Sequence, residues 1–142
     1  MMVSQNFDIR ELVHPDIWNH PAIGDRCIDF LHPNLSVTLE EIKHETADIL
    51  TINDWHWGGS RVNSGLRVPN DNLYAKMSAH KFGVAVDIKP KHMSAEELYY
   101  HILSNQDKYP FIKRIEDISA TPTWVHIEVG SKRFGDIIVF NP

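Results

Sequence analysis

FIKRIEDISATPTWVHIEVGSKRFGDIIVF, residues 111–140, decides the fold class of this chain. Three runs rich in Ile, Val and aromatic residues, Phe111 to Asp117, Trp124 to Val129 and Asp136 to Phe140, are separated by SATPT and GSKRFG. Ser, Thr, Pro and Gly in those connections are turn formers, so the pattern predicts three strands in an antiparallel meander. Side chains alternate faces along a strand. In the middle strand Trp124, His126 and Glu128 therefore share one side, and Val125, Ile127 and Val129 share the other, which faces the core.

Working outward, the segment just before these strands reads as helix. Ser94 followed by Glu97 forms a capping-box pattern, and Leu98, Ile102 and Leu103 supply a buried side for a helix ending near Asn105. Thr38 and Glu41 repeat that pattern earlier, with Leu39, Ile42, Thr46, Ile49 and Leu50 on one face. Short helices are expected near Ile9 to Val13 and Arg26 to Leu31. His14-Pro15, His20-Pro21 and His32-Pro33 mark boundaries, because a residue before proline is pushed out of the helical region. Helices first and hairpins later predict an α+β fold, a small antiparallel sheet packed against helices, in a single domain over 1–142.

Composition narrows the function classes. A net charge of -5 gives no general attraction to nucleic acid or anionic lipid, so neither is expected as a partner. Cys27 is the only cysteine, so an intrachain disulfide and a thiolate metal cluster are excluded. Any metal must be held by histidine and carboxylate. The start, MMVSQNFDIREL, lacks a signal-peptide pattern, and no uncharged run approaches the ~20 residues of a membrane span, so synthesis and folding in a cytoplasm are expected.

The stretch that can carry chemistry is SAHKFGVAVDI, Ser78 to Ile88. It offers His80 and, seven residues later, Asp87, as a strand begins. Gly83 and Ala85 share the Asp87 face and leave clearance for a metal and its substrate. His126, over the open face of its own strand, can complete a three-ligand site. His14, His20, His32, His44, His92 and His101 read as ordinary residues, mostly solvated. His56, within Trp55-His56-Trp57-Gly58-Gly59, is the one of the rest able to line the cleft.

S-x-H-x-x-G-x-A-x-D (Ser78, His80, Gly83, Ala85, Asp87) followed by W-x-H (Trp124, His126) resembles the zinc D-Ala-D-Ala carboxypeptidases and peptidoglycan endopeptidases. That family includes VanX- and VanY-type enzymes and many phage endolysins, and the amino domain of hedgehog proteins shares its fold. SGLR, Ser64 to Arg67, is similar to the family's SGYR segment, so the likeness spans roughly Asn63 to Val129. It implies a zinc ion on His80, Asp87 and His126. Zinc suits two imidazoles and one carboxylate, although cobalt or nickel fits the same groups. The resemblance further implies that Arg67 binds a substrate carboxylate with its planar fork, with Ser78 and Trp124 beside the substrate. The implied partner is a peptidoglycan stem peptide or a D-Ala-D-Ala-type substrate. A phage lysis or tail-associated product acting on the cell wall is expected over a host periplasmic enzyme.

One position departs from the pattern. The family usually carries a glutamate, the general base, three residues before the last histidine, and here that residue is Thr123. Glu116 can substitute if its strand pairs so that it opposes His126, since opposed residues point to the same face. A slip of one residue would turn it away. Glu128 shares the His126 face but sits about 7 Å further along the strand. Glu116 is preferred, then Glu128, then Asp117. The alternative that the same residues leave open is a zinc-binding virion or interaction module of this fold without catalysis.

Overall fold

The computed structural model of the chain describes residues 1–68 and 78–142. SGLRVPNDN, residues 64–72, reads from its Gly, Pro and Asn content as a turn-rich loop, and its part beyond Val68 lies outside the described residues. Four α-helices are present among these residues: α1 (Ile9–Leu12), α2 (Pro15–Trp18), α3 (Pro33–Thr46) and α4 (Ala95–Ser104). The five strands are β1 (Leu50–Thr51), β2 (Ala85–Pro90), β3 (Ile112–Glu116), β4 (Val125–Val129) and β5 (Ile138–Phe140). They form one sheet in the order β1-β2-β4-β3-β5. No described helix is long and apolar enough to cross a membrane.

The α+β class agrees with the pattern of helices and strands, but the sheet is mixed rather than antiparallel. β3 and β4 form the expected antiparallel pair, whereas β5 runs parallel to β3 at the sheet edge and does not pair with β4. The reason is occupancy. β4 is hydrogen-bonded to β2 on one side and to β3 on the other, so the last strand can add only beyond β3. GSKRFG is thus a crossover and not a hairpin turn. Arg133 pins it, donating to the carbonyls of Tyr109 (2.9 Å), Ile112 (2.7 Å), Gln106 (2.9 Å) and Gly135 (2.7 Å).

Helices α3 and α4 cover one face of the sheet. Leu35, Leu39 and Ile42 from α3, with Leu98 and Ile102 from α4, pack against Val86, Ile88, Ile112, Ile115, Val125 and Ile127 in the main core. The sheet's opposite face is left for polar side chains. A second cluster of Ile9, Val13, Ile17, Cys27 and Leu66 binds the N-terminal segments to the chain around Leu66.

α3 begins earlier than Thr38. Pro33 occupies its first turn, where a missing N–H costs nothing, and the His32 ring accepts from the Asn34 N–H at 3.1 Å. Thr38 lies buried inside the helix, its hydroxyl without a partner among the described residues. His14 and His20 use Nδ1 in the same way, accepting from Asp16 and Ala22. The three His-Pro pairs thus start turns and helices, and these histidines are caps rather than idle polar residues. α3 ends at Ala47, in the left-handed region, so Ile49 is exposed and Leu50 enters β1 instead of continuing the helix face. α4 keeps its expected start, with Ser94 accepting from the Glu97 N–H at 3.0 Å.

Asp48 ties these pieces together. It is 3% exposed and accepts from the backbone N–H groups of Ile49 (2.7 Å), His92 (3.0 Å) and Met93 (3.0 Å) and pairs with His92 Nδ1 (2.9 Å). Burial alone would raise its pKa, but these donors outweigh it and hold the carboxyl below its ordinary range. Asp48→Ala strands three backbone donors and is expected to cost about 3 kcal/mol in chemical denaturation. A change below about 0.5 kcal/mol, the level of an ordinary surface substitution, would show that water replaces the carboxylate.

Candidate metal centre

The centre is assembled from two adjacent strands and a turn. β2 and β4 pair antiparallel with Asp87 directly opposite His126, so both side chains project from the open face. His80 comes from the 3-10 turn Ala79–Phe82, which Gly83 terminates with φ 69. A Cβ there would also collide with the Phe30 carbonyl, so glycine both ends the turn and lets the two segments touch.

Gly65 makes the second close approach. A side chain at Gly65 would strike the backbone of Leu12, and the contact lets the Gly65 carbonyl reach His80 Nδ1 at 3.0 Å. That acceptor places the proton on Nδ1 and leaves Nε2 turned inward, 3.3 Å from Asp87 Oδ1. The carbonyl was not among the residues singled out from sequence, where SGLR drew attention only to its arginine. His126 Nδ1 lies 2.8 Å from the same Asp87 oxygen, and its Nε2 lies 3.2 Å from Glu128 Oε1.

His80, Asp87 and His126 are 2%, 8% and 7% exposed, and each offers a ligand atom within 4.8 Å of the others. Donors in a tetrahedral shell with bonds of about 2.0–2.1 Å stand roughly 3.3 Å apart. The two imidazole–carboxylate separations, 3.3 and 2.8 Å, lie at and somewhat below that spacing, so the group could hold a metal ion.

The electrostatics agree with a site built for a cation. Burial disfavours charge on Asp87, but hydrogen bonds from His126 and His80 outweigh it and hold the carboxyl far below its usual range. Burial likewise opposes charge on His126, yet hydrogen bonds to Asp87 and Glu128 lift its pKa to about 9. A proton therefore occupies the metal-free site near neutral pH.

Two pH effects follow. Uptake of a divalent metal ion by this group at neutral pH should release a proton, with apparent affinity rising as pH approaches about 9. His126 has a folded pKa above the 6.5 of an ordinary imidazole, so its stabilising contribution is complete below 6.5 and fades as pH rises through about 9. The metal-free protein should lose about 2–3 kcal/mol of stability over that interval. Thermal unfolding with and without zinc checks this; equal pH dependence in both forms would contradict it.

A cavity of about 360 Å³ opens over the centre, lined by Arg67, Ser78, Trp124, Glu116 and Phe140 together with the three ligand side chains and Glu128. No family model, curated protein or solved structure matches the chain. What the site can do is therefore read from its own atoms.

Glu116 stands at the cavity wall. The β3–β4 register matches Arg114 to Glu128 and Ile115 to Ile127, and one further step of that register sets Glu116 opposite His126. That register depends on a shift between Ile112 and Arg114. Ile112 and Ile115 are both buried, three residues apart, so the irregularity at Lys113 turns Arg114 and Glu116 to the open face. Burial pushes the Glu116 carboxyl above its ordinary range; His126 and His80 oppose the rise and Asp87 adds to it. No hydrogen bond or ion pair to a described residue engages it.

The other expected residues differ in their surroundings. Arg67 Nη2 lies 3.3 Å from Asp87 Oδ2 and its Nε donates to the Asn63 carbonyl at 2.6 Å, so the guanidinium braces a ligand side chain while bordering the cavity. Asp117 accepts from Ser119 and does not line the cavity. Thr123 is exposed and outside it as well. His56 does not reach the cleft: its ring packs against Trp55 and Trp57, and burial lowers its pKa.

Proposed function

We propose that this chain is a zinc-dependent peptidase acting on peptidoglycan stem peptides, either removing a terminal D-alanine or cutting an internal bond. The substrate class rests on the resemblance carried by Ser78 to Asp87 and by Trp124 and His126. The catalytic assignment rests on one observation: a carboxylate free of protein partners among the described residues, Glu116, faces the buried His80, Asp87 and His126 group across one cavity.

His80, Asp87 and His126 hold the metal. Zinc at a three-ligand site supplies Lewis acidity, making water nucleophilic near neutral pH and polarising an amide carbonyl. Glu116 takes the proton from the attacking water and returns it to the amine that leaves as the C–N bond breaks. A carboxyl pushed upward by burial holds that proton better than an exposed one. Arg67 receives a substrate carboxylate at the cavity rim, where a planar fork suits two oxygens. Its contact with Asp87 keeps both groups in place until substrate arrives.

The test is incubation of the purified protein with peptidoglycan, and separately with a D-Ala-D-Ala peptide, with and without chelator. Cleavage that stops with chelator and returns with zinc is expected. Absence of chelator-sensitive cleavage from every substrate would leave a metal-binding module without catalysis.

A further inference from the structure

We propose that Glu128 is a positioning residue for the metal centre and not a second candidate base. It holds the Nε2–H of His126, so that the ring presents Nδ1 to the space shared with His80 and Asp87. The proposal rests on the metal-binding function argued above.

The geometry separates the two glutamates. Glu128 Oε1 lies 3.2 Å from His126 Nε2, on the side of the ring away from Asp87. The second oxygen, Oε2, lies 3.5 Å from Arg114 Nη1. The Arg114 guanidinium sits 4.0 Å over the Phe140 ring, and that ring meets His126 edge-on at 5.8 Å. His126, Glu128, Arg114 and Phe140 thus close a loop in which each side chain limits its neighbour. On the β2 side Glu128 is paired with Ala85, too small to crowd it. Glu116 has no comparable partner among the described residues.

His80 gives the internal comparison. Its far nitrogen meets the Gly65 carbonyl, as the far nitrogen of His126 meets Glu128. Both imidazoles are therefore oriented from behind, one by a neutral acceptor and one by a carboxylate. A carboxylate at that position fixes the tautomer and makes the ligating nitrogen more basic. Arg114 also belongs to β3, so the strand that turns Glu116 to the cavity steadies Glu128.

The experiment is a zinc titration against a competing chelator, run at about pH 9.5 so that protons compete little for Nδ1 in any variant. Unfolding of each metal-free variant is measured alongside. Glu128→Ala and Glu128→Met are expected to weaken zinc binding by about 10- to 100-fold. The methionine variant keeps side-chain length without an acceptor, so it leaves no gap for the fold to close. Glu128→Gln, whose amide oxygen still accepts from Nε2–H, should recover most of the affinity. A methionine variant that binds zinc as tightly as the parent overturns the proposal, as does a glutamine variant as weak as alanine. A parent protein that takes up no zinc overturns this proposal together with the function it rests on.

Discussion

Glu116→Gln is expected to leave zinc bound and the fold intact while lowering turnover of a stem-peptide substrate by about 10²- to 10⁴-fold. The amide matches the carboxylate in shape and cannot accept the water's proton. Glu116 lines the cavity but coordinates nothing in the group of His80, Asp87 and His126, so its loss should fall on turnover and not on metal content. Because the residue gains proton affinity from burial, the acid limb of the parent's activity profile should lie above that of an ordinary carboxylate and vanish in the variant. A Glu116→Gln protein with near-parental turnover would remove Glu116 from the chemistry. Thr123, three residues before His126, offers no replacement, since it is exposed and outside the cavity.

His80→Ala should abolish activity by a different route. Zinc bound at protein sites is worth about 10–16 kcal/mol, so losing one of three ligands removes several kcal/mol, on the order of a thousandfold in affinity. His80 is 2% exposed and its Nδ1 is held by the Gly65 carbonyl, so the fold fixes this ring in the group and the substitution removes it outright. Activity and metal content should disappear together, and saturating zinc should restore part of both. Full zinc content in His80→Ala would place the metal elsewhere. The two substitutions thus dissociate: one keeps zinc and loses turnover, and the other loses both.

The three residues that could hold a metal were legible from spacing and strand alternation. Asp87 and His126 lie on strands whose alternation assigns their face, and the observed Asp87–His126 pairing puts them side by side. His80 was singled out by its spacing to Asp87, whereas Gly83, expected within the strand, instead ends the His80 turn at φ 69, and the strand begins at Ala85. The facing of Glu116 was legible only as a conditional, because it requires an irregularity at Lys113 that the run Ile112 to Glu116 does not announce. A regular strand would have turned that carboxylate toward the helices.

The parts that sequence misassigned depend on partners distant in the chain. Asp136 to Phe140 has the composition of a hairpin strand, and its place beside β3 follows from β2 having taken the other edge of β4. The start of α3 was hidden by chemistry, because His32 supplies the cap through a ring nitrogen, a role usually looked for in Ser, Thr, Asp or Asn. Thr38 carries the right residue type for that role yet lies buried against the core, where its hydroxyl finds no donor or acceptor among the described residues.

His80, Asp87 and His126 are proposed to form one metal centre. Elemental analysis of protein purified without chelator, beside His80→Ala prepared identically, tests it most directly. One zinc per chain in the parent and a marked deficit in the variant is the predicted result. A parent protein free of bound transition metal, and unable to take up zinc on addition, would contradict it.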